Sequence, residues 1–124
     1  MKTLGLIGGT SWHSTLEYYR EINAQVSQII GNACNPELIL YSINIDIMRK
    51  QVLEDIQQKY LEVSEKLVKA GAEALLICAN TPHMAVEYVQ PKIEVPFLHI
   101  ADATAKEAKR LGYRKLGLLG NKPT

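Results

Sequence analysis

The turn Gly8-Gly9-Thr10-Ser11 has the residue types of a small-anion site. It follows a short apolar run at residues 3–7, and its two glycines would let the backbone approach a ligand closely. The N–H groups at the start of a following helix would attract an anion. The spacing is not Gly-x-Gly-x-x-Gly and no Gly-Lys-Ser/Thr follows, so neither a dinucleotide site nor a P-loop is indicated. A tight turn in which Ser11 caps the helix explains the same residues and stays open as the alternative.

A second polar turn lies at residues 78–83, whose sequence is Cys-Ala-Asn-Thr-Pro-His. Asn80 and Thr81 follow a predicted strand directly, and their donors and acceptors suit a carboxylate. The alternative is a polar turn in which Thr81 caps a helix and Cys78 is a small core residue. Ligands of open α/β sheets bind at the carboxyl ends of the strands. The two turns together therefore predict a carboxylate site made by Thr10, Ser11, Asn80 and Thr81.

Residues 96–102 contain His99, which could act as an acid or a base. The alternative is a structural histidine at a strand-to-helix corner. Asp102 would then lie in the first turn of a helix, where the helix dipole favours a carboxylate.

Short apolar runs alternate with longer amphipathic stretches, and these elements must position the turns. This spacing is typical of βαβ units with parallel strands. The sequence therefore predicts an α/β fold, a three-layer sandwich around a mainly parallel four-stranded sheet. Residues 46–51 could be a loop or a short helix, and residues 95–98 are a short apolar run. The predicted strands are residues 3–7, 37–45, 74–78 and 115–119, and the predicted helices are residues 14–30, 53–70, 83–89 and 102–111.

Composition excludes several classes of protein. The chain has 124 residues with a net charge of +1, which argues against binding nucleic acid by neutralising phosphates. Two cysteines, Cys34 and Cys78, are too few for a disulfide scaffold, and no Cys/His cluster has zinc spacing. The apolar run at residues 4–7 is too short for a signal peptide or a membrane span. A cytoplasmic location is therefore predicted, with no metal and no membrane or nucleic-acid partner.

Four segments in order resemble the aspartate/glutamate racemase family, the cofactor-independent amino-acid racemases. The resemblance covers essentially the whole chain. Its motifs are residues 5–15 (Gly-Leu-Ile-Gly-Gly-Thr-Ser-Trp-His-Ser-Thr), 78–83, 96–104 (Pro-Phe-Leu-His-Ile-Ala-Asp-Ala-Thr) and 117–124 (Gly-Leu-Leu-Gly-Asn-Lys-Pro-Thr).

The resemblance implies two similar α/β halves with the active site in the cleft between them. Each half of a family member brings one catalytic residue, usually a cysteine in a Cys-Asn-Thr context in the first half. One thiolate removes the Cα proton and the opposing thiol delivers a proton to the other face. The implied ligand is a small amino acid or dicarboxylate. No cofactor is implied: pyridoxal phosphate is not needed, and no candidate Schiff-base lysine stands out.

Two features depart from the family pattern. The position directly before Asn-Thr is Ala79, whose methyl group cannot move a proton. Cys78 lies one residue earlier and would face away from the cleft unless the strand has already ended, so it is a weak substitute. In addition, no cysteine follows Cys78 to act as the second catalytic group.

We therefore expect residues 1–100 to form a first half-domain and residues 101–124 to begin a second, truncated one. Such an N-terminal half is expected to be inactive alone. One alternative is a non-catalytic carboxylate-binding module or subunit. Another is a flavodoxin-like phosphate or nucleotide binder, which the absence of a dinucleotide or P-loop fingerprint disfavours. Residues 102–124 include an apolar strand with nothing after it to cover it, so a homodimer is expected.

Overall fold

Three parallel strands and five α-helices make up the part of the chain that the computed structural model describes, residues 1–31 and 34–120. Two short 3₁₀ helices, Thr81–Ala85 and Gln90–Lys92, flank the fourth α-helix. In chain order the other elements are β1 (Leu4–Gly8), α1 (Trp12–Ile30), β2 (Leu38–Ser42), α2 (Asp46–Arg49), α3 (Leu53–Lys69), β3 (Ala74–Ile77), α4 (Val86–Val89) and α5 (Ile100–Arg110).

The sheet has the strand order β2-β1-β3, and both pairings are parallel. The α/β class and the parallel sheet predicted from the sequence are therefore confirmed. Because β1 pairs with β3 and the two strands are parallel, the turns that follow them lie side by side at the carboxyl ends of the strands. The predicted carboxylate site depended on this adjacency.

The prediction of a fourth strand at residues 115–119 is wrong. Residues 115–120 form no strand, and their side chains are exposed. The free edge of β3 is contacted instead by the apolar run at residues 95–98. There the Leu75 N–H donates to the Pro96 carbonyl, and the Leu98 N–H donates to the Leu75 carbonyl. Strand formation needs a partner edge, and apolar character alone does not supply one.

The two faces of the sheet are covered unequally. A Cβ built on Gly5 would meet the side chain of Leu67 on α3, and one built on Gly8 would meet Thr15 on α1. These glycines are an odd number of residues apart in β1, so α3 and α1 lie on opposite faces. The main core lies on the α3 face, whereas Thr15 is the single buried residue of α1. In the described residues the predicted four-stranded sheet is thus replaced by a three-stranded sheet, which has a helix on each face and is well covered on one of them.

Helix ends follow from local capping. Helix α1 begins at Trp12, two residues before the prediction, because the Ser11 side chain accepts from the Ser14 N–H. Helix α5 begins at Ile100 because the His99 side chain accepts from the Ala101 N–H. The helix predicted at residues 83–89 divides into a 3₁₀ turn and α4.

Within residues 1–31 and 34–120, no helix is both long and apolar enough to cross a membrane.

Candidate functional site

The loop after β1 is packed so closely that its first residue, Gly9, must be glycine. Gly9 has a φ of +90°, a conformation that L side chains rarely adopt. A Cβ there would lie 2.6 Å from the Ile43 nitrogen and closer still to the Ile43 carbonyl oxygen. The Gly9 N–H donates to Thr15 Oγ1, at 3.1 Å. The loop is therefore wedged between the end of β2 and the start of α1, and this fixes the position of Thr10.

Thr10 and Ser11 have different tasks in the folded chain. The Thr10 hydroxyl lies 3.0 Å from the hydroxyl of Tyr60, a residue of α3. Ser11 caps α1, because its Oγ accepts from the Ser14 N–H and its carbonyl accepts from Ser14 and Thr15. The structure therefore shows the capping role considered for Ser11, in which its Oγ serves as an acceptor.

The turn after β3 is tied to the first loop by Ser14, whose hydroxyl donates to the Cys78 carbonyl at 2.7 Å. Strand β3 ends at Ile77, so Cys78 is the first residue beyond it, although its N–H still donates to the Ile7 carbonyl. The Cys78 side chain is 1% exposed, and burial raises the pKa of its thiol to about 11. Ala79 follows as a half-buried methyl group.

A cleft of about 400 Å³ lies at the carboxyl ends of β1 and β2. Thr10 lines it on one side and Thr81 on another, so the structure brings one residue from each predicted turn together. Arg49 is the one charged side chain among the described residues that line this cleft, and Gln51 lines it as well. Its remaining walls are apolar and come from Ile45, Met48, Leu53, Ile56 and Met84.

A second cleft, of about 450 Å³, opens at the carboxyl end of β3. Its lining residues are Ser14, Tyr18, Cys78, Ala79, Asn80, Thr81, Leu119 and Gly120. Thr81 therefore borders both clefts, whereas Asn80 borders only the second and Ser11 neither. Three of the four predicted binding residues, Thr10, Asn80 and Thr81, are thus distributed over two spaces that share Thr81, and Ser11 lies outside both.

His83 and His99 are packed together, with ring centroids 4.5 Å apart. The Nδ1 of His83 lies 3.0 Å from the Asn80 carbonyl, and its Nε2 accepts from the Ile100 N–H at 3.4 Å. Both contacts are satisfied by a neutral ring that carries its proton on Nδ1. Burial lowers the pKa of His83 from 6.5, which favours this neutral form. Both histidines therefore hold the start of α5, which supports the structural alternative considered for His99.

Two residues of this region were missed by the sequence reasoning. Arg49 lies at the end of α2, in a segment whose sequence fits either a loop or a short helix, and nothing local marks it as a ligand. Gln51 is the one described non-glycine residue with a positive φ, +53°, and it lies one residue beyond the C-cap of α2, Lys50. A left-handed glutamine has no sequence signature, so only the folded backbone identifies it. No group of three His, Cys, Asp or Glu side chains in the described ranges could hold a metal ion.

The chain is similar to racemases at the level of a family model, of a sequence relative and of solved structures. The family model for the Asp/Glu/hydantoin racemases matches residues 7–124. The broad-specificity amino-acid racemase RacX of Bacillus subtilis is 24% identical over 126 residues, covering 98% of this chain and 55% of RacX.

Two crystal structures have the same fold and sequences that are clearly similar. A Yersinia pestis protein assigned as an Asp/Glu racemase superimposes with a TM-score of 0.90 at 41% identity, covering 98% of this chain and 55% of its own. An aspartate racemase homologue from Pyrococcus horikoshii superimposes with a TM-score of 0.81 at 36% identity, covering 90% of this chain and 50% of its own. The chain thus spans about half the length of the relatives it matches.

Proposed function

This chain belongs to the Asp/Glu/hydantoin racemase family, and from that premise we propose that it forms one side of the substrate site of an amino-acid racemase. The substrate class we propose is a small amino acid with a second carboxylate, such as aspartate or glutamate. The proposed reaction uses two opposed acid/base residues and no pyridoxal phosphate. Residues 1–100 would be the first of two half-domains, with residues 101–124 beginning the second. The half-length coverage of the relatives supports this division.

The observation that carries the proposal is the placement of Arg49 opposite two threonines in one cleft. A guanidinium recognises a carboxylate through charge-assisted hydrogen bonds, and threonine hydroxyls supply further donors. Arg49 is also paired with Asp46 at 3.4 Å on the exposed rim, which keeps it near the cleft without burying its charge. We therefore assign one substrate carboxylate to Arg49, Thr10 and Thr81.

The chemistry of inversion argues that this chain alone is inactive. One group must remove the Cα proton and another must protonate the opposite face. Ala79 stands where the family places its first such group and has no exchangeable proton. The Cys78 thiol, with a pKa of about 11, is ionised in only about 10⁻⁴ of molecules at pH 7. We propose that Cys78 is a core residue and that catalysis requires groups from outside this chain.

The carboxylate site is tested by ¹⁵N-HSQC titration of the full chain with succinate, which carries two carboxylates and no amine. We expect shifts at Thr10, Thr81 and Arg49. Arg49→Gln should weaken binding about tenfold or more, because it removes a charged donor. Lys50→Gln is the matched control, since Lys50 is the adjacent cation, is exposed and does not line the cleft. Equal losses in both variants would mean that net charge, and not this site, attracts the ligand.

Activity is tested separately by Cα proton exchange of aspartate in D₂O. We expect no exchange above the buffer rate, because acid and base groups contribute about 10²–10⁴-fold each and neither is provided. Binding without exchange also fits the non-catalytic module, so the same assay should be repeated with the chain extended to the full length of its relatives. Cα proton exchange by the extended protein would favour the racemase. No exchange by the extended protein would favour the binding module.

We also propose that the chain forms a homodimer through α5 and the segment that follows it. Helix α5 buries only Ala108. The exposed apolar side chains beyond it are Leu111, Tyr113, Leu116, Leu118 and Leu119. Leu111, Tyr113 and Leu116 line one shallow space together with α5. Exposed apolar side chains grouped in this way are typical of a protein–protein contact, and a second copy of the chain is the partner we propose.

A further inference from the structure

The hydroxyl of Tyr60 contacts Thr10, a residue that lines the 400 Å³ cleft. Tyr60 is 1% exposed and is part of the core beneath the sheet. It does not line the 400 Å³ cleft, whereas Thr10 does. The two hydroxyl oxygens are 3.0 Å apart, although the residues are separated by 50 positions in the chain. Among the described residues, the hydrogen bond to Thr10 is therefore the one that joins the Tyr60 hydroxyl to the lining of the cleft.

The direction of this hydrogen bond follows from the burial of Tyr60. A buried hydroxyl needs an acceptor for its proton, and Thr10 Oγ1 is the one side-chain or backbone partner that the described residues offer it. If Thr10 donated instead, the phenolic hydrogen would be buried without an acceptor. Burial also raises the pKa of Tyr60 to about 12, so the phenol keeps its proton at every physiological pH. Tyr60 therefore donates and Thr10 accepts.

We propose that Tyr60 is a positioning residue that sets Thr10 as a hydrogen-bond donor toward the cleft and so selects a carboxylate oxygen there. Once Thr10 Oγ1 accepts from Tyr60, the threonine's own hydrogen is left to point at the ligand. A carboxylate oxygen can then accept this hydrogen, whereas an ammonium or amide N–H cannot and has to compete with it for the second lone pair of Thr10 Oγ1. This inference rests on the proposed function, because it concerns the carboxylate assigned to the same cleft.

The predicted consequence is a preference that depends on Tyr60. Succinate offers only acceptors, whereas succinamide also presents N–H donors of nearly the same shape. In Tyr60→Phe the Thr10 hydroxyl can turn either way, so the affinity ratio of succinate to succinamide should fall about tenfold. A merely structural role would weaken both ligands equally and leave the ratio unchanged.

The experiment measures both ligands by ¹⁵N-HSQC titration of the full chain. Tyr88→Phe is the matched control, because the Tyr88 hydroxyl accepts from Gln58 at 2.5 Å and lies outside the cleft. We expect a lowered ratio in Tyr60→Phe and the wild-type ratio in Tyr88→Phe. An unchanged ratio in Tyr60→Phe overturns the role of Tyr60. No succinate binding by the wild-type chain overturns the proposed site, and this inference with it.

A measurement on the wild-type chain covers the case in which Tyr60→Phe does not fold. The Tyr60 hydroxyl proton should be protected from solvent exchange and should show a nuclear Overhauser contact to Thr10. Its protection should persist when succinate is bound, because the ligand contacts the other side of Thr10. Rapid exchange of this proton in the free chain overturns the proposal.

Discussion

Replacing Gly9 by alanine tests whether the close packing of the first loop holds the candidate site in place. A Cβ at this position meets two obstacles, a φ of +90° and the backbone of Ile43. Ordinary van der Waals contact begins at 3.4 Å, whereas the Ile43 nitrogen would lie at 2.6 Å. The neighbour is backbone, so no side-chain rotation can relieve the clash. The loop must move away from β2, and Thr10 with it.

Gly71 provides the matched control. It has a φ of +104°, but a Cβ there would have nothing within 4 Å. Gly71→Ala therefore measures the conformational cost alone, about 1–2 kcal/mol for an L residue in a left-handed conformation. Gly9→Ala adds an overpacking cost of about 1–3 kcal/mol. The difference between the two variants isolates the contact with Ile43.

Urea denaturation followed by circular dichroism measures the free energy of unfolding, and thermal denaturation followed in the same way measures the Tm. For a chain of this size, 1 kcal/mol lowers the Tm by roughly 4 °C. We expect Gly9→Ala to melt at least about 4 °C below Gly71→Ala and to lose succinate binding, which Gly71→Ala should keep. If Gly9→Ala were as stable as Gly71→Ala and bound succinate normally, the loop would not be wedged as described.

Three further predictions follow from burial and exposure. Burial lowers the pKa of His83 from 6.5 in the folded chain, so the unfolded chain binds a proton on this ring more readily. The contribution of the neutral ring to the free energy of unfolding is therefore complete above pH 6.5 and is lost as the pH falls through the lower pKa of the folded chain. Urea midpoints measured from pH 7.5 downward should show this loss, and His83→Asn should lessen it. Iodoacetamide at pH 7.5 should modify exposed Cys34 rapidly and buried Cys78 only in denaturant, and mass spectrometry that found equal rates would contradict the burial of the second thiol. Replacing Leu116 and Leu118 by serine should shift the chain from dimer toward monomer in light scattering, and an unchanged mass would place the contact elsewhere.

The sequence by itself determined the class of the fold. Alternating apolar runs and amphipathic stretches predicted parallel β-α units, and local signals such as the serine before α1 located the helix ends within two or three residues. These features depend on neighbours in the chain, because periodicity and capping act over a few residues. The same local reasoning predicted a strand at residues 115–119, which is wrong. A strand is defined by hydrogen bonds to a distant segment, and at Leu75 those bonds go to residues 96–98.

Only the tertiary structure decided which polar residues share a space. The sequence identified Thr10 and Thr81 at two strand ends, and the order of the strands brought them to one cleft. Arg49 lines the same cleft from a short helix with no recognisable motif. Tyr60 contacts Thr10 although the two residues are 50 positions apart in the chain. The ionisation of Cys78 likewise depends on desolvation by residues far away in the chain. Burial and through-space contact are properties of the packed chain, so no local pattern of residues encodes them.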